Sequence, residues 1–153
     1  MCPTTEASLE ATKEMLSKSK FPLISEKNIA EVRKDFEQQF QKLYERQEWQ
    51  VDKDMCSMDT ITIKGGGGQE MNVYVVKSNA NSTNDSMIGI INMHGGGGYM
   101  LNAKLEQSFT SRLATRGDYV FFNVEYRLAP ETKTPGQFED AVAAVKYVHE
   151  NAS

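Results

Sequence analysis

The chain has 153 residues, 39% of them hydrophobic and 25% charged, with a formal net charge of -4; this is a one-domain length with apolar material for a modest core. The acidic balance gives no electrostatic footprint for nucleic acid, and no run of about 18 apolar residues offers a membrane span. Cys2 and Cys56 match no metal or redox spacing and are too few for a disulfide framework. Both are expected as free thiols in a reducing, cytoplasmic setting, and no cofactor or metal is expected.

In chain order, the start Met-Cys-Pro-Thr-Thr-Glu has neither a basic n-region nor an apolar stretch, so no signal peptide is read there. Residues 1-50 are expected as a helical N-terminal or cap segment. A short helix is predicted near 6–18 and, after Pro22, a longer one capped by Ser25, in which Ile29, Val32, Phe36, Phe40 and Leu43 make one apolar face. That stripe fits a helix packed on the domain as well as a cap over a site, and periodicity does not separate the two.

Near Trp49 the pattern changes, and residues 51-153 are expected as part of a second, α/β region. Alternation over 58–64 and 70–77 predicts two strands joined at Gly65-Gly66-Gly67-Gly68. Four glycines between strands suit a hairpin turn because glycine tolerates positive φ. A phosphate cradle is the other reading, but no Lys-Ser/Thr follows and no helix opens there. Residues 78–86 are polar and read as a surface loop.

The apolar run 87–93 suits a strand covered on both faces. Leu101, Leu105, Phe109 and Leu113 recur every fourth residue and predict a helix, with Gly117 at the C′ position. Tyr119–Val124 predicts another buried strand. Thr134-Pro135-Gly136-Gln137 then opens a last helix, with threonine as cap, proline in the first turn and glutamine at the box position. Its apolar face is Phe138, Ala141, Val142, Val145 and Val148, and Glu139 and Asp140 suit the positive end of its dipole. His149, near its end, reads as a solvated C-terminal histidine. An antiparallel hairpin followed by strand-helix-strand-helix of a mostly parallel sheet is an α/β pattern.

Two stretches carry a resemblance. Asn92-Met93-His94-Gly95-Gly96-Gly97-Gly98-Tyr99 resembles the His-Gly-Gly-Gly loop of esterases and lipases of the hormone-sensitive-lipase type. Val124-Glu125-Tyr126-Arg127-Leu128-Ala129-Pro130-Glu131, followed by Pro135 and Asp140, resembles that family's Asp-Tyr-Arg-Leu-Ala-Pro-Glu stretch. The resemblance covers about 58–153 and implies the N-terminal portion of an α/β-hydrolase fold preceded by a helical cap segment. It implies carboxylic ester hydrolysis in which backbone N–H groups stabilise the oxyanion of the tetrahedral intermediate.

Carried over by position, the donors are Gly96 and Gly97, with His94 and Gly95 shaping the loop. The family has three glycines and then an aromatic residue, whereas four precede Tyr99 here. A one-residue shift makes Gly97 and Gly98 the donors. Without the second stretch, the loop reads as a tight strand-to-helix turn with no chemistry; a dinucleotide loop fits worse, since Met100 stands where its third glycine belongs. Glu125, Tyr126, Arg127, Pro130 and Glu131 are expected to be structural, the glutamate and arginine pairing with each other or with nearby backbone.

The sequence holds no Gly-x-Ser-x-Gly, the strained turn that carries the family's nucleophile ahead of its acid and histidine. No catalytic residue is assigned. The chain is expected to be inactive alone, with an acyl ester as its substrate only when the missing triad is supplied. The alternative is a non-catalytic binding or structural subunit derived from an esterase. In either case the strand at 87–93 is expected at a sheet edge, open to a protein partner.

Overall fold

The computed structural model describes residues 24–46, 53–81 and 86–151. The helix expected near 6–18, together with Cys2, Pro22 and Trp49, lies outside them. Two compact units meet in sequence between Val32 and Arg33, within the helix α1 (Ile29–Tyr44). Ser25 does not cap α1 through its hydroxyl. Its amide and Oγ donate to Asn28 Oδ1 at 2.8 and 3.1 Å, and its carbonyl accepts from the amides of Asn28 and Ile29.

Four strands follow: β1 (Cys56–Lys64), β2 (Glu70–Ser78), β3 (Ile88–Met93) and β4 (Tyr119–Val124). They form one sheet in the order β1-β2-β4-β3. β1–β2 and β2–β4 are antiparallel, while β3–β4 is parallel, with Ile88 opposite Tyr119 through Met93 opposite Val124. The sheet is mixed, and the expected parallel arrangement applies to the β3–β4 pair. The connection between those two contains α2 (Gln107–Ala114), and α3 (Gly136–Asn151) follows β4.

The two sheet faces bury different clusters. Ile63, Met71, Val73, Val124 and Tyr126 pack with Ala144 of α3, and Cys56, Val76 and Phe121 pack with Ala114 of α2. The alternation along β4 explains this, because successive side chains point to opposite faces. Val73, Val76 and Val124 are at most 1% exposed, and each such valine contributes about 2 kcal/mol of burial. Cys56 is a buried free thiol, and burial pushes its pKa up. Among the described residues no helix is long and apolar enough to cross a membrane.

Several sequence expectations give way to side-chain chemistry. The helix predicted from Leu101 begins only at Gln107. Leu101 itself has φ 63°, Glu125 Oε2 takes the Ala103 amide at 2.9 Å, and Asn102 Oδ1 takes that of Leu105 at 3.0 Å. These carboxylate and amide oxygens compete for backbone donors that a helical turn needs. Gly117 is not a left-handed cap: the helix closes at Thr115 with φ -72°, and Gly117 is absent from the positive-φ glycines. Nor does the capping box form as expected. Gln137 Nε2 donates to Thr132 O at 3.0 Å, so the glutamine secures the preceding turn rather than an N-cap amide. The strand at 87–93, expected to be covered on both faces, pairs only with β4 among the described strands, and Ile88 is 60% exposed.

The largest correction concerns α3. Phe138, Val142 and Val145 are 68%, 52% and 53% exposed, so these three of the expected apolar face point outward, while Ala141 and Val148 are half-buried. The side chains turned to the sheet are Asp140, Ala144 and Tyr147, which lie four and then three residues apart on the opposite side of the helix. Asp140 sets this rotation. It is fully buried and accepts from Gly66 N (2.8 Å), Gln69 Nε2 (2.9 Å), and Arg127 N (3.0 Å), Nε (2.8 Å) and Nη2 (3.0 Å). A buried carboxylate is tolerable only when paired and hydrogen-bonded to this extent. The hairpin glycines serve this contact more than the turn. Only Gly68 has positive φ, 80°, whereas a Cβ on Gly65, Gly66 or Gly67 would strike Asp140, Glu139 or Arg127.

Replacing Asp140 by Asn should cost about 3 kcal/mol in urea denaturation, the lower end for breaking a buried pair because Arg127 keeps part of its guanidinium in water. Burial alone would push the Asp140 carboxyl up, but the bonds from Arg127, Gln69 and Gly66 outweigh it and hold the pKa below its ordinary 3.8. The pair's stabilisation should therefore be complete above about pH 4 and decline as the pH falls toward the depressed native value. Urea titrations of the unaltered chain and the Asp140→Asn variant should converge in acid.

Candidate functional site

The loop 94–100 leaves the C-terminal end of β3, and its two ends are pinned differently. At the start, His94 is 3% exposed. Its ring stacks on that of Tyr126, with centroids 4.1 Å apart at 15°, and Tyr126 donates its hydroxyl proton to His94 O at 2.7 Å. His94 Nδ1 lies 2.8 Å from Gly95 O, which makes Nδ1 the protonated nitrogen, because a carbonyl can only accept. Nε2 is buried with no hydrogen-bond partner among the described residues. Burial pushes the imidazole pKa below its ordinary value, against smaller opposing effects of Gly95 O and Glu106. The ring is stacked and covered at the start of the loop.

The Gly95 amide is occupied by Glu106 Oε1 at 2.8 Å. Glu106 Oε2 accepts from Asn92 Nδ2 at 2.9 Å, which also donates to Asn123 Oδ1 at 3.0 Å. Asn123 Nδ2 in turn donates to Tyr74 O and to Thr110 Oγ1, each at 3.1 Å. Asn92 and Asn123 are partners in the β3–β4 register. A polar chain thus runs through the α2 face of the sheet to the first glycine of the loop.

Gly96, Gly97 and Gly98 have φ 111°, 65° and 79°, a region that glycine enters without the cost borne by other residues. Gly96 O accepts from the amides of Tyr99 and Met100, and Gly98 O accepts from Ala129 N at 2.8 Å. A Cβ on Gly96 would meet the Met100 carbonyl, and one on Gly97 the Tyr99 ring. The amides of Gly96, Gly97 and Gly98 have no acceptor among the described residues. The Gly96 and Gly98 carbonyls are therefore engaged while three successive amides remain available to a ligand oxygen.

The second stretch surrounds this loop. Glu125 and Arg127 do not pair with each other. Glu125 holds Ala103, and burial pushes its carboxyl up; Arg127 holds Asp140 and reaches Gly136 O and Glu139. Tyr126 supports His94. Pro130 and Glu131 lie in the turn that follows, where Arg33 reaches in from α1. The Arg33 guanidinium holds the Glu131 carboxyl at about 2. Asn92 and Asp140 were read from sequence only as members of the two motifs, with no role in the glycine loop, and Glu106, Asn123 and Arg33 were not read as parts of the site. The available signal was two asparagines inside apolar strands. His149 is exposed at the far end of α3.

A family model described as alpha/beta hydrolase fold matches residues 90–153. An AB hydrolase superfamily protein of Schizosaccharomyces pombe is 41% identical over 59 residues, 39% of this chain and 17% of its own length. A 3-O-acetylpapaveroxine carboxylesterase of Papaver somniferum is 38% identical over 69 residues, 44% of this chain and 22% of its own. The solved structure of a bacterial heroin esterase aligns with a TM-score of 0.73 at 26% identity, covering 98% of this chain and 44% of that one. The chain thus spans less than half the length of the proteins it matches. With a mixed sheet flanked by α2 and α3, and a glycine loop leaving β3, it has the α/β-hydrolase fold and is similar to carboxylesterases over part of their length.

Proposed function

We propose that this chain supplies the oxyanion-stabilising part of a carboxylic ester hydrolase acting on short acyl esters, with nucleophile, acid and base provided by sequence outside residues 1–153. The observation that carries this reading is the set of three unengaged glycine amides beside a Gly95 amide already committed to Glu106. During acyl transfer the carbonyl oxygen becomes negative, and N–H groups oriented in advance stabilise it without reorganising. Gly96 and Gly97 take this role by position, and a shift by one gives it to Gly97 and Gly98. His94 and Gly95 hold the loop. The carboxylesterase and heroin esterase among the similar proteins fit an ester substrate.

A second reading is a non-catalytic subunit derived from an esterase; the lack of any Gly-x-Ser-x-Gly within the 153 residues favours it. In both readings the free edge of β3 is the proposed place for another strand to pair, since an unpaired strand edge is a template for one. The buried free thiol of Cys56 fits a reducing, cytoplasmic setting.

Residues 1–153 alone should neither turn over p-nitrophenyl acetate nor bind a fluorophosphonate probe covalently. Labelling of any serine in the chain would overturn the assignment of the nucleophile elsewhere. In the protein that includes a nucleophile elbow, Gly96→Ala and Gly97→Ala should each lower kcat by about 10²–10³-fold, the usual cost of losing an oxyanion donor, because alanine keeps the N–H but is strained at the positive φ that aims it. A larger loss in Gly98→Ala than in Gly96→Ala would assign the donors to Gly97 and Gly98. Unchanged kcat in all three variants would remove the oxyanion role.

A further inference from the structure

The glycine loop has a problem that its own residues do not solve. Three successive glycines at positive φ are the most mobile backbone a chain can have, and holding them in one conformation costs more entropy than for any other residue. Preorganised donors are useful only if that cost is met before the reaction begins. Glu106 fixes the first amide of the loop, and Ala129 N fixes the Gly98 carbonyl. The Ala129 turn needs a hold of its own, because it lies on an exposed segment running through Pro130 and Glu131.

Arg33 provides that hold. Its Nε donates to Tyr99 O at 2.7 Å and its Nη2 to Ala129 O at 2.6 Å. The same guanidinium meets both oxygens of Glu131, with Nη1 to Oε1 at 2.8 Å and Nη2 to Oε2 at 2.7 Å. One rigid planar group therefore grips the carbonyl that ends the glycine run and the carbonyl of the residue that binds Gly98. The four residues Arg33, Tyr99, Gly98 and Ala129 close a ring of chain and hydrogen bonds around the loop. Glu131, 61% exposed, orients the fork from the solvent side. The Arg33 side chain is 21% exposed, so its bonds to backbone are partly shielded from water.

We infer that Arg33 is a positioning residue for the Gly96–Gly98 amides, setting the loop from α1 through its two carbonyl bonds. The inference rests on the reading of those amides as oxyanion donors, yet the hold itself is measurable without any turnover. A lysine keeps the charge but not the fork, since an ammonium cannot present several donors in one fixed plane.

The experiment is amide hydrogen exchange on purified 1–153, comparing the unaltered chain with Arg33→Met, Arg33→Lys and Glu131→Gln. A peptide covering 95–101 reports on the loop through the amides of Tyr99 and Met100, which are bonded to Gly96 O, and one covering 119–124 reports on β4. Arg33→Met and Arg33→Lys should each speed exchange over 95–101 by about tenfold or more while β4 keeps its protection, the pattern of a local and not a global opening. Glu131→Gln should give a smaller change in the same peptide. Where Arg33→Met also loses protection in β4, Arg33→Lys and Glu131→Gln carry the test under the same criterion. A loop that exchanges at the unaltered rate in a variant with β4 intact overturns the inference. So does full protection in Arg33→Lys, which would make the charge and not the fork responsible. Failure here leaves the glycine substitution test standing, and failure of that test leaves the exchange result standing.

Discussion

The buried carboxylate of Asp140 constrains more of this molecule than any other single group. It sits one turn into α3 and takes its bonds from the β1–β2 hairpin and from the segment that leaves β4. A charge with no water around it must find donors within reach, and these come from two chain segments far apart in sequence. Its partner Arg127 adds a backbone amide to its side-chain bonds, which fixes the path of the chain just after Tyr126. The glycines of the hairpin permit the approach, and Ala144 one turn later keeps the helix close to the sheet. The position of Tyr126, and with it the support under His94, follows from a group well away from the glycine loop.

The elements were mostly legible in the sequence, while their faces and ends were not. Alternation found β1 and β2, and the apolar runs found β3 and β4, because strand periodicity is a direct record of burial. The glycine loop and the Glu125–Glu131 stretch were legible because they recur as motifs. Reading α3 by its apolar residues failed for a specific reason: hydrophobicity ranks Phe138, Val142 and Val145 above Asp140, but a buried ion pair outranks them in orienting the helix. The start of α2 was missed likewise, since the pattern of leucines is blind to a glutamate 22 residues away that takes an amide from the would-be helix. Arg33 lies outside both motifs, and no local pattern announces a contact across 66 residues.

The site divides its labour between a dry side and a wet side. On the dry side, Glu106, Asn92, Asn123 and Thr110 satisfy one another beneath the loop, and Tyr126 meets the His94 carbonyl, while Nε2 of His94 has no partner among the described residues. On the wet side, Arg33 and Glu131 form a pair that water partly screens, and its value lies in geometry more than in energy. The glycine amides lie between these two layers. The Gly96 carbonyl is held by the amides of Tyr99 and Met100 and the Gly98 carbonyl by that of Ala129, and the three N–H groups are left without acceptors among the described residues.

The polar chain below the loop also counts the residues of the sheet. Asn92 and Asn123 are ladder partners, and both belong to the face that α2 covers. Slipping β3 by one residue against β4 would turn Asn92 toward the opposite face, among Val124 and Ala144, and bring an apolar neighbour to Asn123. Glu106 would then lose its donor and Gly95 its acceptor at the same step. An apolar strand at the edge of a sheet has little else to tell one register from the next. Asn92 and Asn123 make the correct alignment the one in which Glu106 and the Gly95 amide keep their partners, so the feature that anchors the glycines also tells β3 where to stop.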